Sequence, residues 1–417
     1  SGVAETIKRN SDIIKERLGV HLLIKYVLVR EVNKYTKFPV LEDIHLTDNF
    51  SEIIEDESLD IIVEVMGGIT PAKEYIFSAL EHGLSVVSAN KDLVALYGPD
   101  IIHKAIENHV NFSCEASVGG GIPILMPLHQ SLAANQIESI VGILNGTTNY
   151  ILSQMTETGV NYANALADAQ KQGFAEADPT NDVCGFDAAR KLAILSSIGF
   201  RANITFDDVL VEGIEKIDKS DIQYAKDMGY TIKLRSKLLT VALRQENGIA
   251  LNVYPAFLPD NHPLSSVKGA YNAIYVTGNI VDDVMFYGRG AGALPTASAV
   301  MGDVISTAQH ILNGSTGTGM IMTDTKRIPF YSSLKLQNSY YFRLDVDDVT
   351  GVLSQIAAAF AENDISICEV VQKRKTKGLA ELVLITELAS RESILQVEKA
   401  LQVLPCMRKV ANVIRVM

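Results

Sequence analysis

"LDIIVEVMGGITPAKEYIFSALEHGLSVVSAN", residues 59–90, changes its hydrophobic period twice. "LDIIVEVMG" (59–67) is a short apolar run rich in β-branched residues that stops at a glycine pair, the pattern of a buried strand. "PAKEYIFSALEHG" (71–83) has apolar residues at helical spacing, a proline start and a glycine stop. "LSVVSAN" (84–90) is again strand-like. Strand, helix, strand in so few residues predicts a parallel pair with a right-handed crossover. Outward from this unit, "IKYVLVRE" (24–31) and "VNFSCEAS" (110–117) read as further strands, and "GPDIIHKAIENHV" (98–110) as a helix with a Gly-Pro start. The first region is therefore an α/β domain with a parallel sheet.

Such sheets bind ligands at the carboxyl ends of their strands. Three ends here carry unusual chemistry: "GGIT" after residue 66, Asn90-Lys91, and "EASVGGGIP" after residue 114. Each glycine run alone is a tight turn; three at one sheet edge suit a ligand that approaches the backbone. The dinucleotide fingerprint GxGxxG is absent. The opening "SGVAETIKRN" resembles the helix that follows that loop, so roughly a dozen residues carrying the first, central strand of the 3-2-1-4-5-6 order are expected before Ser1. The second strand ends at Arg30-Glu31. Arg30 with Lys34 favours a 2′-phosphate and so NADP; two solvated surface bases are the equal alternative.

The bulk numbers exclude several classes. A length of 417 residues suits two or three domains. A net charge of −12 with no basic block argues against nucleic acid and anionic membrane as partners. No apolar run approaches a membrane span, and no secretory leader is visible, although the chain opens without Met. Cys114, Cys184, Cys368 and Cys406 form no CxxC pair, so neither a zinc site nor a disulfide framework is indicated and a reduced cytoplasm is the expected location. The histidines form no HxxxH or HExxH pair, which disfavours transition-metal chemistry.

A second region, roughly 130–290, has helices at 161–172 and 186–198 followed by strand-like runs at 240–245, 249–258, 272–281 and 284–290, an α+β layer with a mostly antiparallel sheet. A long Ala-rich helix, about 294–312, is expected to pack back on the first domain. The Gly, Ser and Thr-rich stretch 313–338 reads as a linker. The last 79 residues give strand, helix, strand, strand, helix, strand, the ferredoxin-like βαββαβ order.

The stretch "GFAEADPTNDVCGFDAARKLAIL" (173–195) carries the chemistry. Asp187 and Lys191 lie one turn apart on a helix otherwise rich in Ala, Leu and Ile, and Glu176, Asp178 and Asp182 crowd the segment before it. The plain alternative is a solvated i,i+4 pair worth about 0.3–0.5 kcal/mol. The apolar residues around it instead predict a cleft, where charges need partners or substrate groups. A lysine there can donate and accept a proton, and the carboxylates suit a substrate ammonium.

With "VEVMGGITPAKEYIFSALEHGLSVVSANKDL", "EASVGGGIPIL", "GILNGTTNYIL" and "GRGAGALPTASAVMGDV", this stretch closely resembles the homoserine dehydrogenase family over about 1–325, and the tail resembles an ACT regulatory domain. The resemblance implies interconversion of L-homoserine and L-aspartate 4-semialdehyde with NAD or NADP. It implies that Lys191 is the proton donor and acceptor at the substrate oxygen, and that Lys91 is the second active-site lysine beside the nicotinamide. Glu176 and Asp187 resemble the residues that hold homoserine, and Asp182 another carboxylate of that site. Gly173 and Gly290 match cofactor-contacting glycines. Glu115, with the carbonyls of Val118, Gly120 and Ile122, matches a structural sodium site, an all-oxygen set suited to a hard cation.

The implied organisation is a Rossmann-like domain over 1–130 plus about 290–325, an α+β substrate-binding and dimerisation domain over 131–289, a linker over 326–338 and an ACT domain over 339–417, in a homodimer or higher homo-oligomer. L-threonine feedback is the expected role of the tail. Thr350 stands before Gly351 where the family often has proline, so a module that stabilises a dimer without an effector is the alternative. Two other functions compete: a related amino-acid semialdehyde or imine reductase, and a sensor that has lost catalysis. Lys91, Glu176, Asp187 and Lys191 together argue against the sensor.

Overall fold

The computed structural model describes residues 2–227, 230–231, 239–318, 328–376 and 378–417. The chain divides into two compact units: residues 1–137, 193–206 and 277–327 form the first, and 138–192, 207–276 and 328–417 the second. Residues 319–327 of the linker-like stretch lie outside the described residues.

In the first unit, strands Ile61–Glu64, Ser85–Ser88 and Phe112–Ser113 form a parallel sheet in that order, with Val63 opposite Val87 and Val87 opposite Ser113. Tyr26–Leu28 pairs in parallel with His45–Thr47 as a separate two-stranded sheet. His45–Thr47 was not legible, because three residues are too few to show a period. Helix Ala72–Glu81 makes the crossover and buries Ala72, Ile76, Ala79 and Leu80, the i, i+4, i+7, i+8 stripe of an amphipathic helix.

The Gly-Pro start expected at residue 98 is overturned. The helix runs Lys91–Glu107, because Asn90 Oδ1 accepts the Leu93 N–H at 3.2 Å and caps it seven residues earlier than expected, leaving Pro99 in its interior. The long helix Ala293–Leu312 packs Val300, Met301, Val304 and Ala308 against Val87, Ile14 and Leu18.

In the second unit, Tyr271–Gly278, Ile137–Ile143, Leu239–Gln245, Gly248–Tyr254 and Leu210–Val211 lie side by side in that order. Leu239–Gln245 and Gly248–Tyr254 form an antiparallel hairpin. The run expected as one strand over 249–258 breaks at Pro255, which has no N–H to give a ladder, and resumes as Ala256–Pro259.

The C-terminal strands follow the sheet order Ile367–Thr376, Leu379–Thr386, Gln337–Asp347, Met407–Val416, and the neighbours are antiparallel throughout. This is the ferredoxin-like ACT arrangement. Alternation along Gln337–Asp347 sends Tyr340, Phe342, Leu344 and Val346 into a core with Ile356, Phe360, Ile394 and Leu401 from helices Val352–Ala361 and Arg391–Gln402. The sheet does not end at its own edge. Met407–Val416 also pairs in parallel with Ala256–Pro259, Arg415 standing opposite Ala256. On the face away from the helices, buried Arg343 donates to Asp221 at 2.6 Å and to Glu381 at 3.3 Å; on the opposite face Arg415, which stands opposite Tyr340, grips Glu212 through two bonds of 2.8 Å.

Candidate functional site

The site in the second unit is built at a strand-to-helix turn. Strand Ile137–Ile143 leads through Leu144 and Asn145 into helix Gly146–Thr158, and Asn145 Oδ1 caps that helix by accepting the Thr148 N–H at 2.8 Å. The same side chain turns its amide the other way. Its Nδ2 donates to Asp182 at 2.7 Å and to Asp187 at 2.9 Å, tying together two like charges. Lys191 Nζ donates to Asp187 Oδ2 at 2.7 Å and to the Leu144 carbonyl at 2.9 Å.

The side chains of Lys191 and Asp187 are 14% and 10% exposed, which rules out a solvated surface pair. Two of the three ammonium donors are thus committed, and the third is left for a ligand oxygen. Burial raises the Asp182 carboxyl above its ordinary range; the Asn145 hydrogen bond opposes this, and neighbouring Asp187 adds to it.

Glu176 shares no hydrogen bond with this cluster among the described residues. It is exposed, on a segment pinned by Thr147 Oγ1 donating to the Phe174 carbonyl at 2.6 Å and by Gln170 Nε2 donating to the Glu176 carbonyl at 3.1 Å. Gly173 begins that segment at φ +76, with nothing within 4 Å of where a Cβ would stand. Asp178 accepts from both the Thr180 N–H and its hydroxyl, which holds its carboxyl below the ordinary range, so its role here is to shape the turn.

In the first unit, the strand ends are locked to one another. Ser88 Oγ donates to Glu64 at 2.6 Å, and Glu64 also accepts the Met66 and Gly67 N–H groups at 2.7 and 3.2 Å. Asn90 Nδ2 donates to the Gly68 carbonyl at 2.6 Å. This network holds the glycine pair, both members at φ +72, beside the helix that opens on Lys91. Arg30 is exposed two residues past its strand.

The third strand end meets the segment 289–295. Gly121 N–H donates to the Arg289 carbonyl at 3.0 Å, and a Cβ on Gly120 would stand 2.4 Å from the Gly290 oxygen, so only glycine fits at φ +57. Glu115 is buried, and its carboxylate accepts the N–H groups of Ile124, Leu125 (2.8 Å) and Met126 (2.7 Å). Val118, Gly120 and Ile122 are buried residues whose carbonyls receive no hydrogen bond among the described residues, which fits a hard cation taking up their lone pairs. Asp303 accepts the Glu115 N–H at 2.8 Å, and burial pushes its carboxyl up to about 7.

Three contributors escaped sequence reasoning: the Leu144 carbonyl, Asn145 and the Glu64–Ser88 pair. "LNGTT" after an apolar run does carry a local signal, since Asn is one of the residues that caps helix starts. That the same amide also spans two acids 37 and 42 residues away is visible only in the fold.

Comparison with known proteins places this geometry. A family model described as homoserine dehydrogenase matches residues 123–305, one described as homoserine dehydrogenase, NAD binding domain, matches 1–115, and an ACT domain model matches 340–406. The homoserine dehydrogenase of Mycobacterium tuberculosis (strain H37Rv) is 41% identical over 421 residues, covering 100% of this chain and 94% of that protein. That of Bacillus subtilis is 38% identical over 419 residues, covering 100% and 95%. A crystal structure of a homoserine dehydrogenase from Thiobacillus denitrificans superposes with a TM-score of 0.92 at 35% identity, covering 100% of this chain and 95% of that one. A hyperthermophilic archaeal homoserine dehydrogenase in complex with NADPH gives 0.60 at 26% identity, over 73% of this chain and 93% of its own. With full-length relatives at this identity, the chain belongs to the homoserine dehydrogenase family, in a form that carries a C-terminal ACT domain.

Proposed function

We propose that Lys191 transfers the proton at the substrate oxygen while the enzyme, a nicotinamide-dependent oxidoreductase, interconverts L-homoserine and L-aspartate 4-semialdehyde. The observation that carries this is the buried Lys191–Asp187 pair with one ammonium donor uncommitted. The bound nicotinamide supplies or takes the hydride. In the oxidising direction the lysine side chain takes the hydroxyl proton; in the reverse direction its ammonium polarises the aldehyde oxygen and returns the proton. Asp187, Asp182 and Glu176 hold the substrate ammonium, and Lys91 is the second active-site lysine. Gly173 and Gly290 let the cofactor approach the backbone closely.

Arg30 favours NADP over NAD. Val118, Gly120 and Ile122 would hold a sodium ion through their carbonyls, with Glu115 as the adjacent charge; the ion would fix the turn and takes no part in the reaction. The ACT domain senses L-threonine as feedback effector, the protein acts as a homodimer, and its free cysteines suit the reducing cytoplasm. Cofactor consumption tests the substrate. NADPH oxidation with L-aspartate 4-semialdehyde should far exceed that with related amino-acid aldehydes, and equal rates would favour the broader semialdehyde reductase. Titrating L-threonine against turnover tests the feedback, a flat response favouring a structural tail.

A further inference from the structure

Glu64 is an acid where the strand pattern calls for an apolar residue. It closes the strand Ile61–Glu64 and is only 4% exposed, while its neighbours Val65 and Met66 are 58% and 47% exposed. The charge is inside and the apolar side chains are outside, the reverse of the usual partition.

A carboxylate taken out of water needs donors. One Glu64 oxygen accepts the Met66 and Gly67 N–H groups, and the other accepts the Ser88 hydroxyl. Ser88 is fully buried, and its Oγ passes the connection on by accepting the Asn90 N–H at 3.1 Å. Asn90 returns to the first strand end through Nδ2, which donates to the Gly68 carbonyl, while its Oδ1 caps the helix that Lys91 opens. The bonds form a ring through Glu64, Ser88, Asn90 and Gly68, and Glu64 is its one charged member. Two strand ends and a helix start are thereby held in one register.

What this ring presents to solvent is a shelf. Val65 and Met66 flank the pair Gly67 and Gly68, where an added Cβ would meet nothing within 4 Å. Parallel sheets bind their ligands at this edge. Apolar side chains beside bare backbone suit a flat ring that carries an amide, as nicotinamide does.

We propose that Glu64 is a positioning residue for the nicotinamide end of the cofactor: by bonding to both strand ends it aligns the 65–68 shelf with the start of the Lys91 helix. It touches neither cofactor nor substrate and acts through Met66, Gly67 and Ser88. The proposal rests on the nicotinamide-dependent reading and extends it to a side chain that the resemblance did not single out.

Binding to the full chain, measured by calorimetry, tests this with no substrate present, so a wrong substrate assignment would leave the result intact. The probes are whichever of NADPH and NADH the parent binds more tightly, and the matching ADP-ribose fragment without nicotinamide. Glu64→Ala should weaken the dinucleotide about fivefold or more and leave the fragment within about twofold of the parent. Glu64→Gln should recover most of the loss, because its amide oxygen can accept both N–H groups and its amide nitrogen can donate to Ser88 Oγ. At saturating cofactor and substrate, kcat of Glu64→Ala should fall about tenfold or more, the effect of a misplaced reacting group. Ser88→Ala removes one bond to Glu64 without stranding a backbone donor; it should give the same pattern at smaller size, and it decides the matter if Glu64→Ala does not fold. Equal weakening of dinucleotide and fragment, or weakening of neither, overturns the proposal. A Gln variant as poor as the Ala variant, or a parental kcat in Glu64→Ala, overturns it as well.

Discussion

Lys191 Nζ sits 2.7 Å from Asp187 Oδ2, one helical turn away, and the Leu144 carbonyl holds the same nitrogen from the preceding strand-to-helix turn. Neither charge could stay buried alone, since an unpartnered ion in such surroundings costs several kcal/mol. The pair therefore arrives preassembled, with the nitrogen aimed by two acceptors on different elements.

Asn145 is the residue on which this arrangement turns. Asn145→Ala removes a helix cap, worth about 1 kcal/mol, and releases both Asp182 and Asp187 from the shared amide. The expected outcome is a small drop in unfolding free energy together with a several-fold rise in the KM for L-homoserine. Asn145→Asp keeps the cap oxygen but sets a third carboxylate against two others, and should lose more activity than Asn145→Ala despite retaining the cap. Steady-state kinetics with denaturant melts on both variants check the order.

Asp182 gives a pH signature. Burial raises its carboxyl in the folded state, with Asp187 adding to the effect. A carboxyl whose folded pKa exceeds its unfolded one favours the fold most when protonated, below about pH 3.9, and that contribution is lost as pH climbs through the raised value. Asp182→Asn removes the ionisation, so the variant should melt higher than the parent at pH 7 to 8. The gain should shrink toward pH 4, with weaker L-homoserine binding throughout. Melting curves across that range would contradict this if the gain grew on acidification.

How much of this was legible beforehand depended on whether the cause was local. The crossover around 59–90 declared itself because periodicity and proline-glycine punctuation both act over a few residues; helix Ala72–Glu81 buries the stripe its spacing implies. Asp187 and Lys191 were legible as a pair for the same reason. Pro99 misled, because a helix breaker in the sequence lost to the Asn90 cap eight residues upstream of Gly98. His45–Thr47 was too short to show a pattern. The parallel pairing of Ala256 with Arg415 and the Asn145 bridge join residues far apart in sequence, and no window of sequence holds both partners.

Gly120 marks where the backbone allows no side chain. Gly120→Ala would place a Cβ 2.4 Å from the Gly290 oxygen at φ +57, whereas Gly68→Ala at φ +72 meets nothing within 4 Å. Strain alone should cost Gly68→Ala about 1–2 kcal/mol, and Gly120→Ala clearly more, with weakened NADPH binding. Chemical denaturation of the two variants side by side decides whether the close approach or only the dihedral matters.

The junction of the ACT sheet with the rest of its unit rests on buried charge. Asp221 is fully buried and takes Arg343 at 2.6 Å and Asn412 at 2.7 Å. Arg343→Met leaves that carboxylate without its cation and should cost about 3–5 kcal/mol. Adding Asp221→Asn should restore more than half of the loss. A loss below about 1 kcal/mol in the single variant would mean that Asn412 and Tyr341 suffice to hold the acid.

Replacing the lysine tests the catalytic core. Lys191→Ala should lower kcat by about 10²–10⁴-fold, the usual reach of a positioned acid–base group, while the dissociation constant of NADPH measured by fluorescence stays at the parent value. Turnover near that of the parent enzyme would show that another group carries the proton.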